Sequence, residues 1–257
     1  MHHDILDNDD LPVGRVHSRR EVLALFGGVA GAALVAGSMV ARAAPGSGTA
    51  IPAGLVAQAS SLCIATPEET EGPYFVEEML NRSDIRTDPS DGTTRPGVPL
   101  LLTFNIASVS ATACTPLTGA TVDVWHCDAL GMYSDARMER TLGKKFLRGT
   151  QVTDANGMVQ FTTIYPGWYP GRAVHIHFKV RTTPGATTGS QLTSQLYFDD
   201  TLTDAVFTQP PYASKGQRDT RNNQDGIYAD GGDQLLLTLT GDTGGYAAVF
   251  NVGLKSA

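Results

Sequence analysis

Histidine and basic clusters are scarce in this sequence. The 257 residues include six histidines, and only His126, His175 and His177 lie beyond residue 20. The formal net charge is -7 and no run of Lys and Arg stands out, so nucleic acid is disfavoured as a partner. Few stretches have the apolar spacing of a long helix, whereas 28 Gly and 14 Pro supply many turns. This composition favours short strands joined by turns.

The N-terminal stretch has the features of an export signal. Ser18–Leu23 contains a twin arginine, the apolar run Val22–Val40 follows, and Ala41–Ala43 offers a small-x-small cleavage site. A membrane anchor is the alternative, but several glycines in the apolar run and the cleavage site argue against it. We therefore expect export by the twin-arginine route to the periplasm or the extracellular space, with no membrane association after cleavage.

The domain organisation follows from this interpretation. Residues 1–43 are predicted to be a cleaved twin-arginine signal peptide, and residues 44–62 a flexible lead rich in small residues. The remaining residues, 63–257, have a suitable length for one domain.

Only three cysteines are present, which limits the disulfides that can form. In an oxidising compartment, one disulfide and one free thiol is the simplest interpretation. Cys114 and Cys127 are expected to bracket a strand, which would hold them too far apart to bond. The prediction is a disulfide between Cys63 and one of these two, with the choice left open.

The periodic segments predict an all-β fold: a single β-sandwich of about eight strands with long loops. Two tight turns, 154–157 and 241–245, predict hairpins. The irregular segment 199–232 is too long for an idle connection, so we expect it to be functional or to wrap the site. The predicted strands are Pro99–Ala107, Ala120–His126, Gly149–Thr153, Met158–Thr163, Arg172–Arg181, Leu192–Phe198, Gln234–Thr240 and Tyr246–Val252.

A candidate metal site lies in the fifth of these strands. His175 and His177 are two residues apart in an apolar run, so a strand places both imidazoles on one face. Tyr169 follows a Pro-Gly turn that can fold it back towards that face, and Tyr133 follows another strand. Together with Arg172, these residue types predict a site for a hard, oxidised metal ion.

Less specific interpretations remain for each of these residues. A His-x-His pair also occurs in zinc enzymes, so a zinc hydrolase completed by Glu71 or Asp128 is one alternative. A second is a non-enzymatic sandwich that binds aromatic or carbohydrate ligands. His126, at a strand end, is expected to have a structural or outer-shell role.

Several motifs together resemble one family. The iron site of the intradiol ring-cleavage dioxygenases, which include protocatechuate and catechol dioxygenases, is similar in its pattern. A strand with a pocket Gln and a Gly-Pro-aromatic segment fit the same family. The motifs are Gly131–Tyr133, Tyr165–Tyr169, Arg172, His175–Phe178, Ser194–Phe198 and Thr70–Tyr74.

The resemblance implies a site, a cofactor and a reaction. Non-haem Fe(III) would be bound, and a catechol-type aromatic would be cleaved by O2 to a cis,cis-muconate-type product. Tyr169, Arg172 and Gln195 would be catalytic. The implied ligands are Tyr133, Tyr169, His175 and His177. The implied substrate-binding residues are Gly72, Pro73, Tyr74, Arg172 and Gln195.

The sequence also departs from the family pattern. Only five residues separate Tyr169 from His175, a shorter loop than in protocatechuate or catechol dioxygenases. This predicts a more open pocket, suited to bulkier catechols. No helical dimerisation region of the catechol dioxygenase type is present, and a homo-oligomer is left open.

Overall fold

The computed structural model describes residues 64–110, 113–182 and 190–255. The predicted signal peptide, the whole flexible lead and Cys63 lie outside these residues, so export and the disulfide stay predictions. The described ranges form nine strands and one short α-helix. The elements are β1 (Pro99–Val109), β2 (Cys114–Pro116), β3 (Thr121–Trp125), β4 (Arg148–Val152), β5 (Met158–Ile164), β6 (His175–Arg181), β7 (Gln191–Tyr197), α1 (Asp200–Val206), β8 (Thr240–Asp242) and β9 (Gly245–Lys255).

The strands form two sheets that pack as a sandwich, which confirms the predicted all-β class. In the first sheet, β1 pairs with β9 on one edge and with β5 and β2 on the other, and β8 extends it beyond β9. The second sheet has the order β4-β3-β6-β7. Alternate side chains of β1 and β6 meet between the sheets; Phe104 and Phe178 have ring centroids 5.3 Å apart. The hydrophobic core therefore lies between the two sheets.

The hairpin predicted at 154–157 is wrong. The tight turn is present, since the Asp154 side chain accepts from the backbone N–H of Asn156 and of Met158. However, β4 pairs with β3 and β5 pairs with β1, so the turn passes the chain from one sheet to the other. A turn sequence specifies the local reversal but not the partners of its flanking strands.

The closing hairpin is confirmed, although it is shorter than predicted. β8 covers Thr240–Asp242, and it pairs with the start of β9. The predicted strand over Gln234–Thr240 is otherwise wrong, because only Leu236 forms a bridge, to Tyr197. Leu235 and Leu237 are buried there, so their apolar character reflects packing of an irregular segment.

The segment after β7 contains local structure that the sequence analysis missed. α1 begins at Asp200, and the Asp199 side chain caps it by accepting from the Leu202 N–H. Four single-turn 3₁₀ helices follow, at Tyr212–Ser214, Asn222–Gln224, Tyr228–Asp230 and Gly232–Gln234. In the part of the chain that the structure describes, no helix has the length and hydropathy needed to cross a membrane.

The strand β6 is covered on both faces, and this positions the site. Its even-numbered side chains, from Ile176 to Val180, enter the core between the sheets. Its odd-numbered side chains face outward, where an N-terminal segment covers them: Lys179 pairs with Glu71 at 2.6 Å, and Arg181 pairs with Glu77. His175 and His177 belong to this outer face.

Candidate metal centre

The four predicted ligands lie together on the outer face of the second sheet. The Nε2 atoms of His175 and His177 are 3.1 Å apart. The Tyr169 hydroxyl oxygen is 3.1 Å from His175 Nε2, and the Tyr133 hydroxyl oxygen is 3.5 Å from the same nitrogen. All four residues are buried. Two imidazole nitrogens and two phenol oxygens therefore point into one small volume.

Each imidazole is oriented by its neighbours. His175 Nδ1 lies 2.6 Å from the Ala173 carbonyl oxygen, so Nδ1 carries the proton and Nε2 offers a lone pair. The His177 ring stacks on the Trp125 ring, with centroids 5.0 Å apart and planes 5° from parallel. Burial lowers the pKa of His177 well below its ordinary value, and the charge of Arg172 acts in the same direction. His177 is thus held neutral, the form that binds metal ions.

Tyr133 is positioned by the loop that follows β3. A Cβ at Gly131, where φ is +83°, would lie 2.1 Å from the Trp168 carbonyl oxygen, so this close approach requires glycine. The Tyr133 N–H donates to the Glu139 carboxylate. The Tyr74 ring stacks on the Tyr133 ring at 4.0 Å and 8°. The phenol of Tyr133 is therefore fixed from the backbone and from one ring face.

Tyr169 reaches the same volume from the turn that follows β5. The backbone of Gly167 passes so close to Ala129 that a Cβ would lie 2.5 Å from its carbonyl oxygen. This contact joins the loop of Tyr169 to the loop of Tyr133, and the two phenol rings meet edge to face at 5.8 Å. The Pro-Gly turn thus folds Tyr169 back as the sequence predicted.

The donor set fits ferric iron. Fe(III) is a hard acid that prefers anionic oxygen donors, and a bound cation lowers the pKa of a coordinated phenol, so both tyrosines can bind as phenolates. A zinc site of two histidines and a carboxylate fits poorly. Within residues 64–110, 113–182 and 190–255, no three His, Cys, Asp or Glu side chains gather as a metal site would need. Glu71 pairs with Lys179, and Asp128 accepts from the N–H of Leu130.

Arg172 and Gln195 lie beside the four donors as a hydrogen-bonded pair. Gln195 is directly opposite His177 in the ladder of β6 and β7. Arg172 Nη2 donates to Gln195 Oε1 at 2.6 Å, and Arg172 Nε donates to Asp225 Oδ2 at 3.0 Å. Burial opposes ionisation of Asp225, but Arg172 and the Ala173 N–H outweigh it and lower the pKa of the carboxyl. The guanidinium is therefore charged, buried and held on two sides.

The predicted substrate-edging segment also reaches the centre. Gly72 and Pro73 form a turn, where Gly72 has φ +68° and its N–H donates to Thr70 Oγ1. The turn places the Tyr74 ring against both ligand tyrosines. It is stacked on the Tyr133 ring and lies edge-on to the Tyr169 ring, with centroids 6.3 Å apart. The Thr70 carbonyl oxygen accepts from Gln195 Nε2 at 3.0 Å. This segment thus borders the four donors and anchors the Gln195 amide.

A family model described as "Dioxygenase" matches residues 70–225, well over half of the chain, and this span contains all the residues of the candidate centre. The chain belongs to the intradiol ring-cleavage dioxygenase family. This conclusion confirms the resemblance that the sequence motifs indicated.

The curated relatives of this intradiol dioxygenase family member include protocatechuate and catechol dioxygenases. The chain is 34% identical over 123 residues to a protocatechuate 3,4-dioxygenase beta chain of Burkholderia cepacia, covering 43% of this chain and 51% of that one. The chain spans about half the length of the curated relatives it matches.

Two solved structures share the fold over a greater length. An intradiol ring-cleavage dioxygenase of Tetranychus urticae superposes with a TM-score of 0.65 at 32% identity, covering 75% of this chain and 95% of that one. The dioxygenase domain of a dioxygenase carbohydrate-binding protein fusion from Streptomyces sp. SirexAA-E gives 0.55 at 32% identity, covering 76% and 100%. The similarity therefore extends over most of the described sandwich.

His126 lies apart from the four donors. Its Nε2 is 2.6 Å from Thr163 Oγ1 and its Nδ1 is 2.8 Å from the Cys127 carbonyl oxygen. Burial lowers the pKa of His126 to about 4. This geometry agrees with the expected structural role. Cys127 is a buried thiol whose Sγ lies 3.6 Å from the Gly167 carbonyl oxygen, and it forms no disulfide with another described residue.

The sequence analysis missed several residues that support the centre. Asp225 lies in the long segment after β7 that was expected to wrap the site, but nothing in the sequence separates it from the other acids there. Tyr197 is two residues after Gln195, so the strand period could have placed it on the same face. The Glu139 carboxylate accepts from the backbone N–H of Tyr133, a contact that sequence patterns do not show.

Proposed function

We propose that this protein is a non-haem, Fe(III)-dependent dioxygenase that cleaves a catechol-type aromatic with O2 to a cis,cis-muconate-type product. The observation that carries the proposal is the convergence of two imidazole nitrogens and two phenol oxygens at separations of 3.1 to 3.5 Å. Membership of the intradiol family supports the same reaction class.

Tyr133, Tyr169, His175 and His177 would hold the iron. Two phenolates offset much of the charge of a ferric ion in a buried site, which neutral donors alone would leave unbalanced. When bound, the ferric ion supplies an electron acceptor that makes a catecholate ring reactive toward dioxygen.

The two tyrosines would differ in role. Tyr133 is 1% exposed, is stacked on Tyr74 and has its N–H tied to Glu139, whereas Tyr169 is 9% exposed. Tyr169 is therefore the ligand better placed to leave and to take up a proton from an incoming catechol hydroxyl. Tyr133 would stay in place.

Arg172 would stabilise negative charge on the substrate ring, and Gln195 would orient the substrate or oxygen. The guanidinium is fixed by Asp225 and Gln195, so it presents positive charge without reorganising when negative charge develops on the ring. The Gln195 amide is held at its oxygen by Arg172 and at its nitrogen by Thr70, so it can orient substrate or oxygen by hydrogen bonding.

The first experiment is a visible absorption spectrum of the purified, iron-loaded protein, before and after catechol is added without oxygen. Phenolate-to-ferric charge transfer should colour the protein, and catechol should shift the band to longer wavelength. Tyr133→Phe and Tyr169→Phe should each weaken or shift the band. Tyr165→Phe is the matched control, because this buried tyrosine bonds Thr203 instead and should keep the colour.

A protein that stays colourless after reconstitution with Fe(III) would refute the proposal. Equal loss of colour in Tyr165→Phe would also count against the assigned ligands.

Ring-substituted catechols are the substrate class we propose within this reaction. The support is the loop of only five residues between Tyr169 and His175, which leaves less chain to close the pocket. The ratio of kcat/KM for 4-substituted catechols to that for catechol should exceed one. Turnover confined to unsubstituted catechol would contradict it.

Export by the twin-arginine route is a further part of the proposal. It rests on the twin arginine in Ser18–Leu23 and on the small-x-small sequence Ala41–Ala43. Replacing Arg19 and Arg20 by Lys should retain the enzyme in the cytoplasmic fraction. Unchanged recovery outside the cytoplasm would refute this route.

A further inference from the structure

Glu69 joins the Arg172–Gln195 pair through one tyrosine. Its backbone N–H donates to the Thr193 carbonyl oxygen at 3.0 Å, which fixes the segment to β7. Its carboxyl Oε2 lies 2.7 Å from the Tyr197 hydroxyl oxygen. That hydroxyl oxygen is also 3.3 Å from Gln195 Oε1, the atom that accepts from Arg172. Tyr197 thus bridges Glu69 and the proposed catalytic pair.

The bridge has one hydrogen for two acceptors. A phenol carries a single O–H, so Tyr197 can donate to Glu69 or to Gln195 but not fully to both. If the Glu69 carboxyl is protonated, its O–H donates to the Tyr197 oxygen and the Tyr197 O–H is released to Gln195. If Glu69 is ionised, the Tyr197 O–H turns to the carboxylate and the Gln195 oxygen loses that donor.

The surroundings of Glu69 favour the neutral acid. The residue is partly exposed, but its Oε1 is buried, and the described residues offer that oxygen no hydrogen-bond partner. An ionised oxygen buried without a donor is far more costly than a carbonyl oxygen in the same place.

Groups on β7, at Arg172 just before β6, and in the segment after β7 act on the pKa of Glu69. Burial raises the pKa of Glu69 to about 8, although the Tyr197 hydrogen bond from β7 and the charge of Arg172 act in the opposite direction. Asp225 and Asp230, from the segment after β7, add to the rise. Burial also raises the pKa of Tyr197 well above its ordinary value, so this phenol keeps its proton.

We propose that Glu69 is a positioning residue whose carboxylic acid proton turns the Tyr197 hydroxyl toward Gln195 and thereby fixes the Gln195–Arg172 pair. Glu69 does not touch the substrate; it acts through Tyr197. Its loss of the proton at alkaline pH releases Gln195 Oε1 from one of its two donors and loosens the pair. The catalytic consequence rests on the proposed function, whereas the hydrogen-bond switch itself does not.

The catalytic test compares Glu69→Gln and Glu69→Ala with the wild type, all iron-loaded, across pH with catechol as substrate. Wild-type kcat/KM should fall above about pH 8, because the carboxyl ionises there. Glu69→Gln keeps a neutral N–H donor to Tyr197 at every pH, so its alkaline decline should move up by at least about one pH unit. Glu69→Ala should lose about tenfold in kcat/KM at neutral pH, and the Gln variant should recover most of it.

Catechol ionises identically with all three proteins, so a difference between their profiles reports on residue 69. The same alkaline decline in the wild type and in Glu69→Gln would overturn the proposal. Full activity of Glu69→Ala at neutral pH would do so as well.

Crystal structures of the wild type at about pH 6 and about pH 9.5 give a readout that needs no turnover. The contact between Tyr197 Oη and Gln195 Oε1 should open at the higher pH, and it should stay closed in Glu69→Gln. An unchanged contact in the wild type would overturn the switch. Absence of catechol turnover at every pH would instead refute the proposed function, and the crystal structures would still decide the role of Glu69.

Discussion

The two faces of β6 are buried to a similar degree and for opposite reasons. The inner face, with Phe178 at its centre, is apolar and joins the core between the sheets. The outer face carries His175 and His177 and then Lys179 and Arg181, and it is buried because other segments fold over it. Apolar burial stabilises the fold directly. Polar burial costs free energy unless each group finds a partner, so the outer face is tolerated because ion pairs, stacked rings and the proposed metal satisfy most of its polar groups.

Removing the imidazole of His177 from the outer face should have the largest effect on iron binding and activity. His177→Ala removes one of four donors, so iron-dependent colour should disappear and kcat/KM should fall by more than about 100-fold. In the iron-free protein, the same substitution should lower the free energy of unfolding only modestly. The reason is that it also removes a buried ring nitrogen, Nδ1, that has no hydrogen-bond partner among the described residues. Visible spectra, turnover and urea unfolding would measure the three effects.

Phe178→Ala breaks the inner face one residue away. The phenyl ring is fully buried and packs against Phe104, so we expect a loss of about 3–5 kcal/mol in the free energy of unfolding. The protein that remains folded should still bind iron and show its colour. Colour loss equal to that of His177→Ala would mean that the two faces are not separable.

Disrupting the buried Arg172–Asp225 ion pair beside the site should have a smaller effect. Asp225→Asn removes the carboxylate charge that pairs with the buried Arg172 guanidinium; both side chains are at most 2% exposed. We expect a loss of about 3 kcal/mol in the free energy of unfolding at neutral pH, read from urea unfolding. Asp84→Asn is the control, because the Asp84–Arg86 pair is exposed and should contribute less than about 1 kcal/mol. Equal losses in the two variants would contradict the importance of burial.

A pH experiment sharpens the contrast between site and structural histidines. His126 has a folded-state pKa of about 4, below its unfolded value of 6.5, so the unfolded state binds the proton first as the pH falls. Its contribution to stability is present above pH 6.5 and is lost between 6.5 and 4, by about 3 kcal/mol at most.

His126→Gln should remove that part of the pH dependence of unfolding while the iron-dependent colour remains. The comparison with the wild type isolates His126, since His175 and His177 are present in both proteins. A variant with the wild-type slope, or one without colour, would show that His126 is not the structural histidine described here.

The site was more predictable than the strand pairing. His175 and His177 are two residues apart on a strand, and covalent geometry puts such residues on one face whatever the fold does. The turn at 154–157 was equally clear in the sequence, yet its flanking strands belong to different sheets. A turn specifies a local reversal, whereas pairing depends on which distant strands offer a free edge.

The strand-rich sandwich, the His-x-His face, the two tyrosines on turns and the family could all be predicted from the amino-acid sequence. These features depend on local rules: the strand period, glycine at close approaches, and residue types suited to a hard metal ion.

The position of the site on the outer face of one sheet follows from the folded structure and not from any local pattern. The same holds for the pairing of Asp225 with Arg172 and for the link from Glu69 through Tyr197 to Gln195. Glu69 and Asp225 are more than 150 residues apart in the chain, and no local pattern links them. Their contacts form because folding buries both carboxyl groups around the Arg172–Gln195 pair, one against the guanidinium and the other against Tyr197. A buried group must find a partner or lose its charge.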